Sequence, residues 1–156
     1  MSRNAADKIS NPFSTGGGGE HFEANIQASF VALMLAGGFS PCLQSKPIIK
    51  IKLQGRFAGY QTDDLIVFAQ DNIGGGLSKL LCQVKHSIKI TENDSTFSDV
   101  IHKAWKDFNN ENLFNKGKDV IALITGPLSA TDTNDVKTIL ERARRSENST
   151  EFFEKI

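Results

Sequence analysis

Cysteine is scarce in this chain. The two present, Cys42 and Cys82, are too few for a disulfide framework. The histidines His21, His86 and His102 are scattered, so no group of Cys and His has zinc-site spacing. No apolar run is long enough to span a bilayer, and Met1 to Ser10 lacks the apolar segment of a secretory signal. Neither sign of charge is in excess: 18 Lys and Arg face 18 Asp and Glu. Net charge therefore does not announce a nucleic-acid binder, and any basic surface must be local. These absences predict a reduced, cytoplasmic protein with no membrane partner.

What is present is enough apolar residue, 39% of 156, for one core. Met1 to Phe13 is polar and reads as a flexible arm, followed by one domain over 14–147. Glu20 to Ala36 reads as a helix, with Phe22, Ile26, Phe30 and Leu33 on its apolar face and Gly37-Gly38 as its stop. Ile48 to Leu53 alternates, Ile49, Ile51 and Leu53 against Lys50 and Lys52, as a half-buried strand does. Asp64 to Gln70 is apolar on both sides and reads as a buried strand. A glycine-rich loop over Asp71 to Leu77 leads to a third strand, Leu80 to Ile88. Caps among Asn93 to Thr96 open a helix whose Phe97, Val100, Ile101, Ala104, Trp105 and Phe108 share one face, so Trp105 is expected in the core. Asp119 to Thr125 is a strand ended by Gly126-Pro127, and a third helix follows with Val136, Ile139, Leu140 and Ala143 inward. Asn148 to Ile156 reads as the start of a further helix or a linker to a C-terminal region outside this chain. The order α-β-β-β-α-β-α predicts an α/β domain with a central mixed sheet flanked by helices.

The stretch that bears chemistry is Thr62-Asp63-Asp64 at the head of one strand and Gln83-Val84-Lys85 in the next. Alternation puts Gln83 and Lys85 on one face and Cys82, Val84 and His86 on the other. A carboxylate, an amide and a cation at one sheet edge can hold a hard cation and a phosphate. A strand-opening acid pair beside a solvated hairpin face would explain the same residues. Glu20 and Glu23 on the first helix add carboxylates, although acids near a helix N-terminus also favour the dipole.

With these residues in this order, the chain resembles the PD-(D/E)xK restriction-endonuclease-like fold, most closely its Mrr-type branch with Gln before x-Lys. The blocks GGGGEHFE, TDDLIVF, LCQVKH and ALITGPLS are similar to the amino-terminal nuclease domains of bacterial antiphage proteins. These include CBASS effectors and the STAND ATPases called Avs or AVAST. The resemblance covers roughly residues 14–147 and implies a metal-dependent endodeoxyribonuclease that degrades double-stranded DNA with little sequence preference. It implies Asp64 as metal ligand, with Asp63 as the alternative one residue away. It further implies Gln83, through its side-chain oxygen, or the Val84 carbonyl as a second ligand, Lys85 as the catalytic lysine, and Glu23 (or Glu20) as the helix acid. Gln83 in place of an acid lowers the fixed negative charge, which favours one essential Mg²⁺, replaceable by Mn²⁺, with any second ion held more weakly. Self-association into a dimer or tetramer, and a phage trigger sensed by regions outside this chain, are also implied.

Gly16 to Gly19 lacks the G-K-[ST] ending of a phosphate loop. Lys50, Lys52 and Arg56, with Lys79 beside the third strand, are the candidates for a DNA-backbone face, though a solvated strand face explains them equally. Two other functions remain open: a catalytically inactive DNA-binding or assembly module of the same fold, and an RNase or single-strand nuclease.

Overall fold

A computed structural model of the chain describes residues 17–43, 46–70, 76–91 and 93–154. The expected arm over 1–13, most of the 71–77 loop and the last two residues lie outside the described residues. The elements are α1 (Gly18–Leu35), β1 (Ile48–Leu53), β2 (Leu65–Ala69), β3 (Ser78–Lys85), α2 (Ser95–Phe108), β4 (Val120–Thr125), α3 (Ala130–Arg145) and α4 (Ser149–Glu154). They form an α/β domain around one four-stranded sheet ordered β1-β2-β3-β4. β1, β2 and β3 are successively antiparallel, whereas β3 and β4 run parallel, so the sheet is mixed. The parallel step needs a long crossover, and α2 supplies it.

β2 is the interior strand that its uninterrupted LIVFA run predicts, since Leu65 to Ala69 are all buried. Its side chains divide between two cores. Leu65 and Val67 meet Leu80, Cys82, Ile48 and Phe30 beneath α1, whereas Ile66 and Phe68 meet Leu81, Tyr60 and Phe114 on the other face. Cys82 is fully buried, and burial, then Cys42 and Asp64, push its thiol up to about 12, so it behaves as a core residue.

Several expectations about faces are corrected. In α1 the ridge that meets the sheet continues from Ile26 and Phe30 to Met34, while Leu33 is 37% exposed. An i, i+4 step keeps that ridge, whereas the i+3 step to Leu33 turns away from it. In β1 the register shifts between Ile48 and Lys50. Ile48 therefore enters the core and Ile49 is left outward, because the bulge inserts one residue on the edge strand. α2 buries only Val100 and Asp107, and Trp105 is 65% exposed rather than in the core. α3 buries none of its residues, with Ile139 and Leu140 about half exposed. Periodicity identified these helices correctly but did not say how much of each apolar face is covered. Among the described residues, no helix is long and apolar enough to cross a membrane.

Candidate active site

The sheet register brings the candidate residues together. Leu65 pairs with Cys82, so Asp64, just before β2, lies beside Gln83, just after Cys82. One oxygen of Asp64, Oδ2, accepts two hydrogen bonds and faces one cation. Gln83 Nε2 donates at 2.5 Å, the Val84 backbone N–H donates at 2.7 Å, and Lys85 Nζ stands 3.7 Å away. Hydrogen bonds to an ionised carboxylate are stronger than neutral ones, so this cluster fixes the carboxylate's position. Asp64 is the acid engaged here. Asp63 instead offers its backbone carbonyl to the Gly55 N–H, 2.7 Å away, at the turn before β2.

Glu23 joins the cluster through Gln27. The Gln27 amide donates to Glu23 Oε1 at 2.8 Å and to the Asp64 backbone carbonyl at 3.1 Å. One side chain thus ties α1 to the head of β2. Burial, followed by the neighbouring Asp64 carboxylate, raises the Glu23 carboxyl above its ordinary value, with Lys85 and the Gln27 hydrogen bond opposing. Glu20 lies one turn earlier and is exposed. Both glutamates, with Val84, Lys85 and Ser87, line a cleft of about 440 Å³ between the start of α1 and the end of β3. His86 packs edge-on against Phe22, ring centroids 5.3 Å apart, on the α1 side of β3.

Gln83 does not present the group expected of a metal ligand. Its nitrogen, not its oxygen, faces Asp64, because an amide oxygen beside a carboxylate oxygen would be repelled. Gln83 is 2% exposed and here positions Asp64. Among the described residues no three His, Cys, Asp or Glu side chains gather as metal ligands. The donor chemistry nevertheless fits a hard cation that keeps most of its water. Glu23 lines a polar cleft with room for water and phosphate, and the Asp64 carboxylate is its electrostatic neighbour.

The expected basic face is only partly formed. Lys50 and Lys52 share one side of β1, Lys50 Nζ lying 5.4 Å from the Phe68 ring centroid. Arg56 is exposed in a 3-10 turn, Gly55–Ala58. Lys79 is a correction. Its Nζ pairs with the buried Asp119 at 3.2 Å, donates to the Leu113 carbonyl, and lies 6.0 Å from the Tyr60 ring centroid. Its charge is already neutralised. It also sits near the opposite end of β3 from Lys85, about 20 Å away at a rise of ~3.3 Å per residue.

Two residues that hold the site were not singled out from sequence. Asp107, 1% exposed near the end of α2, accepts from Gln61 N at 3.0 Å and from Thr62 N at 2.6 Å. It thereby clamps the segment that leads into Asp64. Gly126 follows β4 and donates its N–H to the Lys85 carbonyl at 3.3 Å. A Cβ there would come 2.4 Å from the His86 carbonyl oxygen, a backbone atom that cannot swing aside. Gly126→Ala is expected to cost about 1–3 kcal/mol by overpacking and to displace the Lys85–His86 peptide. Thermal melts of the variant check the first effect. The G-P pair after a strand was a visible turn signal, but the close approach behind it was not.

Comparison with protein-family models, with curated proteins and with solved structures finds no match to this chain.

Proposed function

We propose that this domain is a metal-dependent phosphodiesterase with a restriction-endonuclease-like core, acting on double-stranded DNA. The observation that carries the reading is the convergence of Gln83 Nε2, the Val84 N–H and Lys85 Nζ on Asp64 Oδ2, beside a cleft bordered by Glu23. Asp64 and Glu23 are the side chains that would hold Mg²⁺ or Mn²⁺, with the Val84 carbonyl as a further oxygen donor. When bound, the ion supplies Lewis acidity and lowers the pKa of a coordinated water. Gln83 and Val84 hold Asp64 in place. Gln27 holds Glu23 against the head of β2. Lys85, partly exposed at the end of β3, is the cation available to stabilise a phosphate oxygen as charge develops on it. Lys50, Lys52 and Arg56 remain the candidates for phosphate-backbone contacts.

The biological setting we propose is that of an effector in bacterial antiphage defence, in the cytoplasm, activated by self-association through regions outside this chain. A second reading, an assembly module without catalysis, has one observation in its favour. Ile101, Trp105, Ile139 and Leu140 on α2 and α3 are largely uncovered, as contact surfaces are.

The deciding experiment incubates linear DNA, circular DNA and RNA with the protein in Mg²⁺, Mn²⁺ or EDTA. Cleavage of circular DNA in either metal, abolished by EDTA and reduced at least ~10²-fold in Lys85→Ala, is the expected result. Cleavage that persists in EDTA or in Lys85→Ala would sink the mechanism. Cutting of RNA alone would replace the substrate. DNA binding without cleavage by the assembled protein would favour the second reading.

A further inference from the structure

Between α2 and the sheet lies a second cleft of about 420 Å³, on the face of β3 opposite α1. Its walls include Val100, Ala104, Trp105 and Phe108, and its floor includes Thr62 and Gln83. Among the described residues, no charged side chain lines it. Thr62 and Gln83 are 1% and 2% exposed, yet Thr62 Oγ1 and Gln83 Oε1 have no hydrogen-bond partner among the described residues. An unpaired buried polar atom is costly, and native structures contain few of them. Here two sit under the same apolar cleft. Above them, the Trp105 and Phe108 rings are inclined by only 25°, with centroids 6.2 Å apart, and Trp105 is 65% exposed.

We propose that this cleft binds a neutral, flat heteroaromatic ring carrying an N–H donor on its edge, the chemistry of a nucleobase. The apolar and aromatic walls suit the ring's faces, and the two orphaned oxygens suit its edge. The uncharged lining disfavours phosphate or carboxylate inside the cleft, so a nucleotide's ring enters and its phosphate stays outside. Gln83 links this cleft to the candidate active site, because its nitrogen donates to Asp64. A ring N–H bonded to Gln83 Oε1 fixes the amide in the orientation that holds Asp64. The ring can come from a free nucleoside or from a base turned out of a nucleic-acid strand.

Trp105 is the chain's single tryptophan, so its emission reports on the cleft. Titration with adenosine, excited beyond the adenosine absorption band, should quench it saturably below about 10 mM, the weak end of specific binding. Purine riboside, which lacks the exocyclic amine, should bind roughly tenfold more weakly, the effect of ~1.4 kcal/mol. Ala104→Leu keeps a good helix former and fills the cleft, so it should abolish the response while melting near the parent temperature. Thr62→Val, which exchanges the hydroxyl for a methyl group of similar size, gives the same test should the leucine variant fail to fold. An oligonucleotide bearing 2-aminopurine separates the two sources. A change in its emission on binding, lost in Ala104→Leu, assigns the ring to a nucleic-acid strand, and quenching by adenosine alone assigns it to a free ligand. No saturable response to either, or one unchanged in both cleft variants, overturns the proposal. These readouts need no cleavage, so the result stands apart from the nuclease assay.

Discussion

On the nuclease reading proposed above, Asp64→Asn should abolish DNA cleavage, by about 10³-fold or more, while the protein stays folded. A loss of that size, ~4 kcal/mol of transition-state stabilisation, is what removal of a directly acting group produces. The asparagine is nearly isosteric. Its oxygen can still accept from Gln83 Nε2 and the Val84 N–H, the two short bonds that now end on Oδ2. What disappears is the negative charge that attracts Lys85 Nζ at 3.7 Å and that a divalent cation requires. The Asp64–Lys85 pair is partly exposed, so its loss should cost at most ~1 kcal/mol of stability. Asp63→Asn is the matched control. Asp63 contributes its backbone carbonyl to the Gly55 N–H, which substitution leaves intact, so cleavage should change less than about tenfold. Measured cleavage rates, with circular dichroism melts of each variant, check both expectations. Equal loss in the two variants would remove Asp64 from its assigned place.

The parts of this site that were legible in the sequence depend on local periodicity. β2 could be read because LIVFA is apolar on both sides, and Gln83 and Lys85 share a face because strand side chains alternate. The pairing of Asp64 with Gln83 followed from one register, Leu65 opposite Cys82. The parts that were not legible depend on long-range contacts or on what covers a face. Asp119 is separated from Lys79 by a whole crossover, and nothing near Lys79 shows that its charge is already matched. The α2 pattern placed Trp105 with Val100, but only Val100 is buried. The orientation of the Gln83 amide was likewise beyond reach, because it is set by the Asp64 carboxylate from another strand.

Asp107 is the clearest case of such a contact, and its replacement should have the largest effect on stability. It lies on an otherwise amphipathic helix, between Lys106 and Phe108, and reads in sequence as one more surface acid. In the fold it is 1% exposed, and its two oxygens accept from the backbone N–H groups of Gln61 and Thr62. Those groups begin the approach to Asp64. Asp107→Ala strands the Thr62 N–H in a buried position and weakens the hold on Gln61. Hydrogen bonds to a charged acceptor contribute ~1.5–3 kcal/mol, so the total cost should be about 3 kcal/mol. For a domain of this size that corresponds to a fall of roughly 6–12 °C in Tm. Asp107→Asn keeps one accepting oxygen and turns a donor toward the other N–H, so its cost should fall between those of alanine and the parent. Lys106→Ala, an exposed neighbour, should stay within about 0.5 kcal/mol. The nuclease reading adds a second expectation. Below its melting temperature, Asp107→Ala should still cut DNA more slowly, because the segment that presents Asp64 is no longer clamped to α2. A purely structural role predicts otherwise: once corrected for the folded fraction, the variant would cut at the parent rate, and Asp107 would have no part in positioning the site.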